Sequence, residues 1–341
     1  MKTARPPSWQ ILLAFAIIYF VWGSTFLAIR VGVREVPPFL LAAVRFLAAG
    51  LILYVWMRLK GSPSLTSREW AGASFLGTLI FVVDYGCLFW AEQRVPSGIA
   101  AVILATIPVF ITLSEITFLR TQRLTLRLAT ALLVGICGVA VLMSHSASLG
   151  EVPVNRAGAA ALLIAAVTWS IATILTKRIP LPASKPMSAA AQMLTGGVQL
   201  FIVAAISGEM RGFNFDSVST AAWFSLIYLI FAGSIAGFTA YIWLLHYESP
   251  TKVGTYAYVN PVVAVALGYF LGGETVGTRT LLGTLLVLVS VITITTTPVK
   301  RKPETETRPV EVGEVRRSFR RRYPETWRSS AGGQTCRPED T

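Results

Sequence analysis

TYAYVNPVVAVALGYFLGGE, Thr255 to Glu274, is long enough to cross the apolar core of a bilayer, which takes ~20 mainly apolar residues. It is not a plain anchor. Tyr256, Tyr258 and Asn260 crowd its first half, and Pro261 stands inside it. Proline has no N–H for the carbonyl four residues back, that of Ala257, and lipid offers that oxygen no donor. Such a break survives where it faces protein or a watery cavity. On a helix Tyr256 and Asn260, four apart, share a face. Two readings stand side by side. One is a kinked packing helix whose polar groups bond to neighbours. The other is a stretch lining a substrate path, because broken helices recur at transporter binding sites.

The rest of the chain has the same character. Of its 341 residues 54% are hydrophobic and 14% charged, with mean hydropathy +0.62. A soluble domain is nearer a quarter charged. Apolar runs fall at about 11–29, 38–57, 70–91, 97–118 and 125–143, then at 157–176, 187–207, 218–245, 251–271 and 277–297. Each is near the ~20 residues a bilayer asks for. The expected fold is an all-α membrane protein of about ten transmembrane helices. The first run, Ile11 to Ile29, follows a basic stretch as a signal peptide would. It is too long for one and no small-residue cleavage site follows, so it is expected to stay as the first span. The expected divisions are 10–143, a connector 144–156, 157–297, and a disordered basic tail 298–341.

The net charge of +13 divides by topology. The residues from 300 on carry eleven Lys/Arg and seven Asp/Glu, and most other charges lie between apolar runs. That is a membrane pattern, not a nucleic-acid surface. With the N-terminus in the cytoplasm, the inner segments hold twelve basic residues: Lys2, Arg5, Arg58, Lys60, Arg68, Arg120, Arg123, Arg127, Lys177, Arg178, Lys185 and Lys252. The outer segments hold six: Arg30, Arg34, Arg94, Arg156, Arg211 and Arg279. The positive-inside rule then predicts both ends cytoplasmic. In the tail, Arg316, Arg317 and Arg320 to Arg322 are a candidate contact with anionic lipid, although a solvated tail explains them as well.

Little in the composition serves catalysis. Cys87, Cys137 and Cys336 are scattered, and His145 and His246 are the two histidines. No metal-ligand spacing, HExxH or Walker A motif is present, so neither metal nor cofactor is expected and ATP drive within the chain is disfavoured. A membrane-embedded enzyme is therefore a weak alternative, and a receptor or scaffold a second one.

The two halves repeat. A shift of 147 places Trp22 on Trp169, Arg30 on Lys177, Arg45 on Gln192, Leu47 on Leu194 and Gly50 on Gly197. A shift of 153 places Trp90 on Trp243, Pro108 on Pro261 and Leu132-Leu133-Val134 on Leu285-Leu286-Val287. With about five spans each, the halves must run through the membrane in opposite senses. Inverted repeats with a broken helix in each half point to a secondary transporter whose site lies between them.

The chain resembles the EamA-type exporters of the drug/metabolite transporter superfamily. WGSTFLAIRVG (22–32), PPFLLAAVRFLAAG (37–50), AEQRVPSGIAAVILATIP (91–108) and the opening stretch carry the likeness. It covers residues 10–297 and is closest to bacterial inner-membrane amino-acid metabolite and drug exporters. The resemblance implies ten helices in two EamA repeats, cytoplasmic ends, and efflux of small molecules. The family often has an acid after the fourth span of a repeat. Glu274 fills that place in the second half, and Thr121 stands there in the first.

Several side chains are candidates for the path. Trp22 lies about eleven residues into its span, too deep for an interfacial anchor. Trp22, Ser24 and Thr25 in the first span, with Trp169 and Ser170 at the matching place, fit either path lining or small-residue packing. Trp90, Trp243, Gln192 and the two prolines complete the set. Glu92 is expected to pair with Arg94 at the outer mouth. Glu115, five residues from Arg120, is expected to be a snorkelling surface pair.

Arg45 and Asp84 lie deeper, where an ionisable residue costs ~2.5–3.5 kcal/mol and normally has a partner. At ~1.5 Å per residue both sit roughly 12 to 15 Å from the outer ends of their spans, so they are expected to pair. Such a pair is either permanent, or it opens during transport so that Asp84 takes up a proton from outside and couples export to it.

Overall fold

The computed structural model describes residues 6–117, 125–143, 154–176, 178–248 and 253–296. The tail, Thr121, Arg120 and the Glu115 side chain lie outside the described residues. Among those described there is no strand. Among the described residues ten helical spans follow one another: α1 (Ser8–Val33), α2 (Pro38–Leu59), α3 (Ser67–Glu92), α4 in two segments (Ser97–Leu104 and Ile107–Thr117), α5 (Leu126–Met143), α6 (Arg156–Leu175), α7 (Lys185–Ile206), α8 (Thr220–Tyr247), α9 (Tyr256–Phe270) and α10 (Thr278–Thr295). Seven are long and apolar enough to cross a membrane, and the stretches at α5, α9 and α10 are shorter apolar helices.

Short polar signals start the helices. Thr66 and Glu69 form a capping box at α3, Asn155 accepts the Gly158 N–H at α6, and Ser219 accepts from Ala222 at α8. Each satisfies an N–H that the first helical turn leaves orphaned. Between the caps, large side chains such as Leu12, Phe20, Leu51, Phe201, Phe231 and Leu285 point outward and exposed. An apolar surface on that scale suits lipid, not water. The interior is filled by small residues, among them the fully buried Ala42, Ala43, Ala165, Ala166 and Ala189 to Ala191. Small residues let helix backbones approach closely where lipid supplies no hydrophobic drive between helices.

The helix ends alternate between two faces of the bundle. On one face Glu35, after α1, accepts from the Ser219 N–H and hydroxyl before α8. On the same face Glu209, after α7, accepts from the N–H of Leu40 in α2. Gln93, after α3, donates to the Val33 carbonyl, and Gly158 at the start of α6 packs on Val95. Helix α1 therefore runs toward this face and α6 away from it, so the halves are inverted. The most extensive helix pairings, α2 with α7 and α5 with α10, join equivalent helices of the two halves. A Cβ on Gly50 would come 2.8 Å from the Leu194 nitrogen, and one on Gly197 2.9 Å from the Leu47 nitrogen. The two contacts are images of each other.

The prolines do not behave alike. In α4 the helix breaks at Ala105–Thr106 and Pro108 is the second residue of the segment that follows. Helix α9 runs unbroken from Tyr256 to Phe270 with Pro261 inside. The expectation of equal breaks in both halves is corrected: one half interrupts the helix, while the other carries its proline within it. Breaks of a second kind occur where sequence gave no signal. Wider π-type turns occupy Ile17–Val21 in α1, Thr78–Tyr85 in α3 and Leu229–Phe238 in α8. The last two fall at matching places of the two repeats, and such turns recur at functional sites.

Candidate functional site

Trp22 and Trp169, equivalent residues of the two halves, meet edge to face with centroids 5.8 Å apart. Tyr241 of α8 lies 5.2 Å from Trp22 and 5.3 Å from Trp169. Tyr256 stands edge-on to Trp22 at 5.3 Å, and Tyr85 edge-on to Trp169 at 6.1 Å. Beside this cluster, between α1, α3, α4, α6 and α9, is a cavity of about 60 Å³. It has room for a few waters. Asp84 lines it, together with Trp22, Thr25, Trp169, Tyr256, Asn260 and Pro261. Ala257, whose carbonyl Pro261 deprives of an N–H partner, is also at its wall.

Asn260 ties α9 to α1 at this wall. With its amide nitrogen turned to α1, it donates to the carbonyls of Tyr19 at 2.8 Å and Ile18 at 3.1 Å. These carbonyls lie in the π turn of α1, where the ordinary ladder is disturbed. Asn260 thus satisfies backbone that lipid cannot. The remaining contact between these helices is close: a Cβ on Gly23 would press on Val263 and lie 3.2 Å from the Asn260 carbonyl. The equivalent contact in the other half has Ser170 Oγ donating to the Ile107 carbonyl, 3.0 Å away, at the break in α4.

Arg45 and Asp84 do not pair. Arg45 is 1% exposed, and its Nε donates to Ser234 Oγ at 2.8 Å. Its guanidinium lies over the rings of Phe46, Tyr85 and Phe89 at 4.7, 5.1 and 5.7 Å. Similar depth was a correct reason to look for a pair, but direction decides. Consecutive residues on a helix point about a quarter turn or more apart. Both residues reach the cavity wall, but Tyr85 also lies under the Arg45 guanidinium, while Asp84 makes no contact with it. No ion pair or hydrogen bond reaches the Asp84 carboxyl from the described residues, although it is only 3% exposed.

Other candidates lie apart from the cavity. Trp90 stacks under the Arg94 guanidinium at 3.8 Å, and Trp243 packs on Tyr247 at 4.8 Å. Gln192 is fully buried and donates to Ser188, leaving its Oε1 without a partner. Ser24 bonds the Val21 carbonyl and the Tyr228 hydroxyl, while Thr25, at the cavity wall, donates to the Trp22 carbonyl. The side chain of Tyr258 is outside the described residues. Sequence reasoning missed Tyr85 and Tyr241. An available signal was the adjacency of Tyr85 to Asp84; nothing in the sequence singles out Tyr241. Among the described residues no cluster of His, Cys, Asp and Glu could hold a metal ion.

A second polar group closes the face that carries Glu35. Arg30 Nε lies 3.2 Å from Glu274 Oε1, and its Nη1 donates to the carbonyls of Glu92 and Val95. Glu274 also accepts from Ser97 N–H at 2.8 Å, Ser97 Oγ at 2.7 Å and Gly98 N–H at 3.2 Å, capping α4. Glu92 is fully buried, and both its carboxyl oxygens lack a hydrogen-bond partner. The expected Glu92–Arg94 surface pair is thus corrected: Arg94 turns to Trp90 and Gln93, and Glu92 is interior.

A membrane-spanning all-helical chain, built from two inverted halves around a small central cavity, has the architecture of a multi-pass membrane transporter of small molecules. The EamA-like transporter family matches residues 8–144 and again residues 156–296, and the chain belongs to that family. It is 37% identical over 284 residues to a protein of Escherichia coli K12 named as the inner membrane transporter YedA, covering 83% of this chain and 89% of that one. It is 27% identical to a probable amino-acid metabolite efflux pump of Salmonella typhimurium LT2, over 80% of this chain and 90% of the other. A crystal structure 20% identical in sequence superposes with a TM-score of 0.59, over 84% of this chain and 96% of the other. That likeness concerns the fold.

Proposed function

We propose that the protein is a secondary active exporter of small metabolites or drugs, amino acids and related compounds among them, with the central cavity as its transport site. The observation that carries this reading is the position of the cavity. Residues of both repeats line it, Trp22 and Asp84 from the first and Trp169, Asn260 and Pro261 from the second. Relative motion of two inverted halves would expose such a site to each side in turn. The names of the relatives support efflux across a bacterial inner membrane. The twelve-to-six charge bias supports cytoplasmic ends, and repeats bounded at 10–143 and 157–297 fit the two family matches.

Asp84 is the coupling candidate. No cation among the described residues pairs with it, so its charge in the interior is met by a proton or a ligand. The test is Asp84→Asn in proteoliposomes with an imposed pH gradient, beside counterflow of labelled solutes. Loss of gradient-driven transport is expected, with counterflow retained when the solute is saturating. An unchanged response to the gradient would remove Asp84 from coupling.

A further inference from the structure

Building on the reading of the central cavity as the transport site, we infer that this cavity takes the head of an organic ammonium ion, with Asp84 as its counter-ion and the Trp22, Trp169 and Tyr256 rings around it. Three observations converge. First, Asp84 is the one charged residue among the described residues lining the cavity. It is 3% exposed, and no ion pair reaches it from the described residues. A buried carboxylate in that state calls for a cation. Second, its neighbours at the wall are aromatic, and a cluster of indole and phenol rings offers negative faces to an alkylated ammonium group. Third, among the described residues no cation lines the cavity, and the Arg45 guanidinium, whose Nη1 has no hydrogen-bond partner, is not part of its wall. Arg45 is bonded to Ser234 and lies over Phe46, Tyr85 and Phe89. A carboxylate on the substrate would find no cation among the described residues of the cavity wall. That weighs against a zwitterionic amino acid and for an amine or quaternary ammonium compound. At about 60 Å³ the cavity accommodates the charged head, and the remainder of a larger substrate requires the helices to part.

The same geometry makes protons competitors. The titratable groups around Asp84 are Tyr85 and Cys87 on its own helix, Tyr241 on α8 and Tyr256 on α9. The cavity walls from α1, α4 and α6 contribute none. Phenols and a thiol are ordinarily neutral at neutral pH, so the carboxyl is the group that exchanges a proton for the ammonium ion.

The experiment uses the full chain in detergent, with tryptophan fluorescence reporting binding of tetramethylammonium and, separately, of leucine. Counterflow of both is then measured in proteoliposomes. Tetramethylammonium is expected to bind, and to bind more weakly as the pH falls. Asp84→Asn should weaken it by about tenfold or more, the worth of one lost charge contact. Asp84→Glu keeps the carboxylate and should restore most of the affinity, which separates a lost site from a misfolded protein. Equal tetramethylammonium binding by parent and Asp84→Asn overturns the proposal. So does leucine binding and counterflow with none for tetramethylammonium, an outcome that leaves the transporter reading standing. Asp84-dependent binding of tetramethylammonium without counterflow of either solute upholds the site and removes the transport reading.

Discussion

Arg30 and Glu274 meet at 3.2 Å, and through that contact α1 is tied to the chain after α9 and to the N-terminus of α4. The acid that the family resemblance singles out thereby acquires a physical task. It neutralises Arg30 and caps Ser97 and Gly98 at once. The pair is mostly buried, at 21% and 8% side-chain exposure. Glu274→Ala removes both roles, and a buried pair that loses one partner costs about 3–5 kcal/mol. Because Arg30 keeps some solvent, the expected loss is at the lower end of that range. Glu274→Gln retains the cap and should lose less. Thermal unfolding in detergent of the single variants and of Arg30→Ala with Glu274→Ala gives the coupling. Additive losses would mean that the contact contributes nothing.

The α2–α7 interface predicts a matched pair of effects. Gly50→Ala and Gly197→Ala would each place a methyl less than 3 Å from a backbone nitrogen of the facing helix. Backbone cannot yield as a side-chain end can, so each should destabilise by about 1–3 kcal/mol. Gly86→Ala is the control, since its Cβ would have nothing nearer than 3.4 Å. Unfolding temperatures that rank the three alike would contradict this packing.

Asn260→Ala removes the donors that serve the Tyr19 and Ile18 carbonyls. Unsatisfied buried acceptors cost about 1–3 kcal/mol. The variant should lose stability and loosen the contact of α1 with α9. Hydrogen exchange around residues 17–21 should rise, and exchange in α10 should not. Unchanged exchange at 17–21 would show that the π turn does not depend on this amide.

The Glu35–Ser219 contact predicts a pH dependence at the protein surface. Hydrogen bonds from the Ser219 N–H and hydroxyl hold the Glu35 carboxyl below its ordinary value of 4.5. A carboxyl depressed in the folded state stabilises it above the unfolded value. That contribution is lost as pH falls through the folded one. Glu35→Gln should therefore be less stable than the parent near pH 6, and the difference should shrink toward about pH 3. A gap that widens on acidification would reverse the assignment.

Much of the architecture is legible in the sequence because it rests on composition and period. Ten apolar runs, the odd number of spans per half, and the coincidence of Trp22 with Trp169 and of Gly50 with Gly197 require only counting, and the structure arranges them as inverted halves. What could not be read is direction within a turn of helix. Depth alone made Arg45 and Asp84 partners, but the guanidinium lies over Tyr85, and Asp84, beside Tyr85 at the cavity wall, is left without it. Asp84 and Tyr85 lie in the π turn of α3, and a second π turn, in α1, is packed by Asn260 against Ile18 and Tyr19. No local propensity announces them. Trp90 and Trp243 match as well as Trp22 and Trp169 do, yet lie apart from the cavity, because a repeat fixes equivalence and not location. The sequence by itself determined that this chain spans a membrane in two like halves. Only the tertiary structure decided which polar groups meet, since each such meeting joins residues far apart in the chain through side-chain directions fixed by packing.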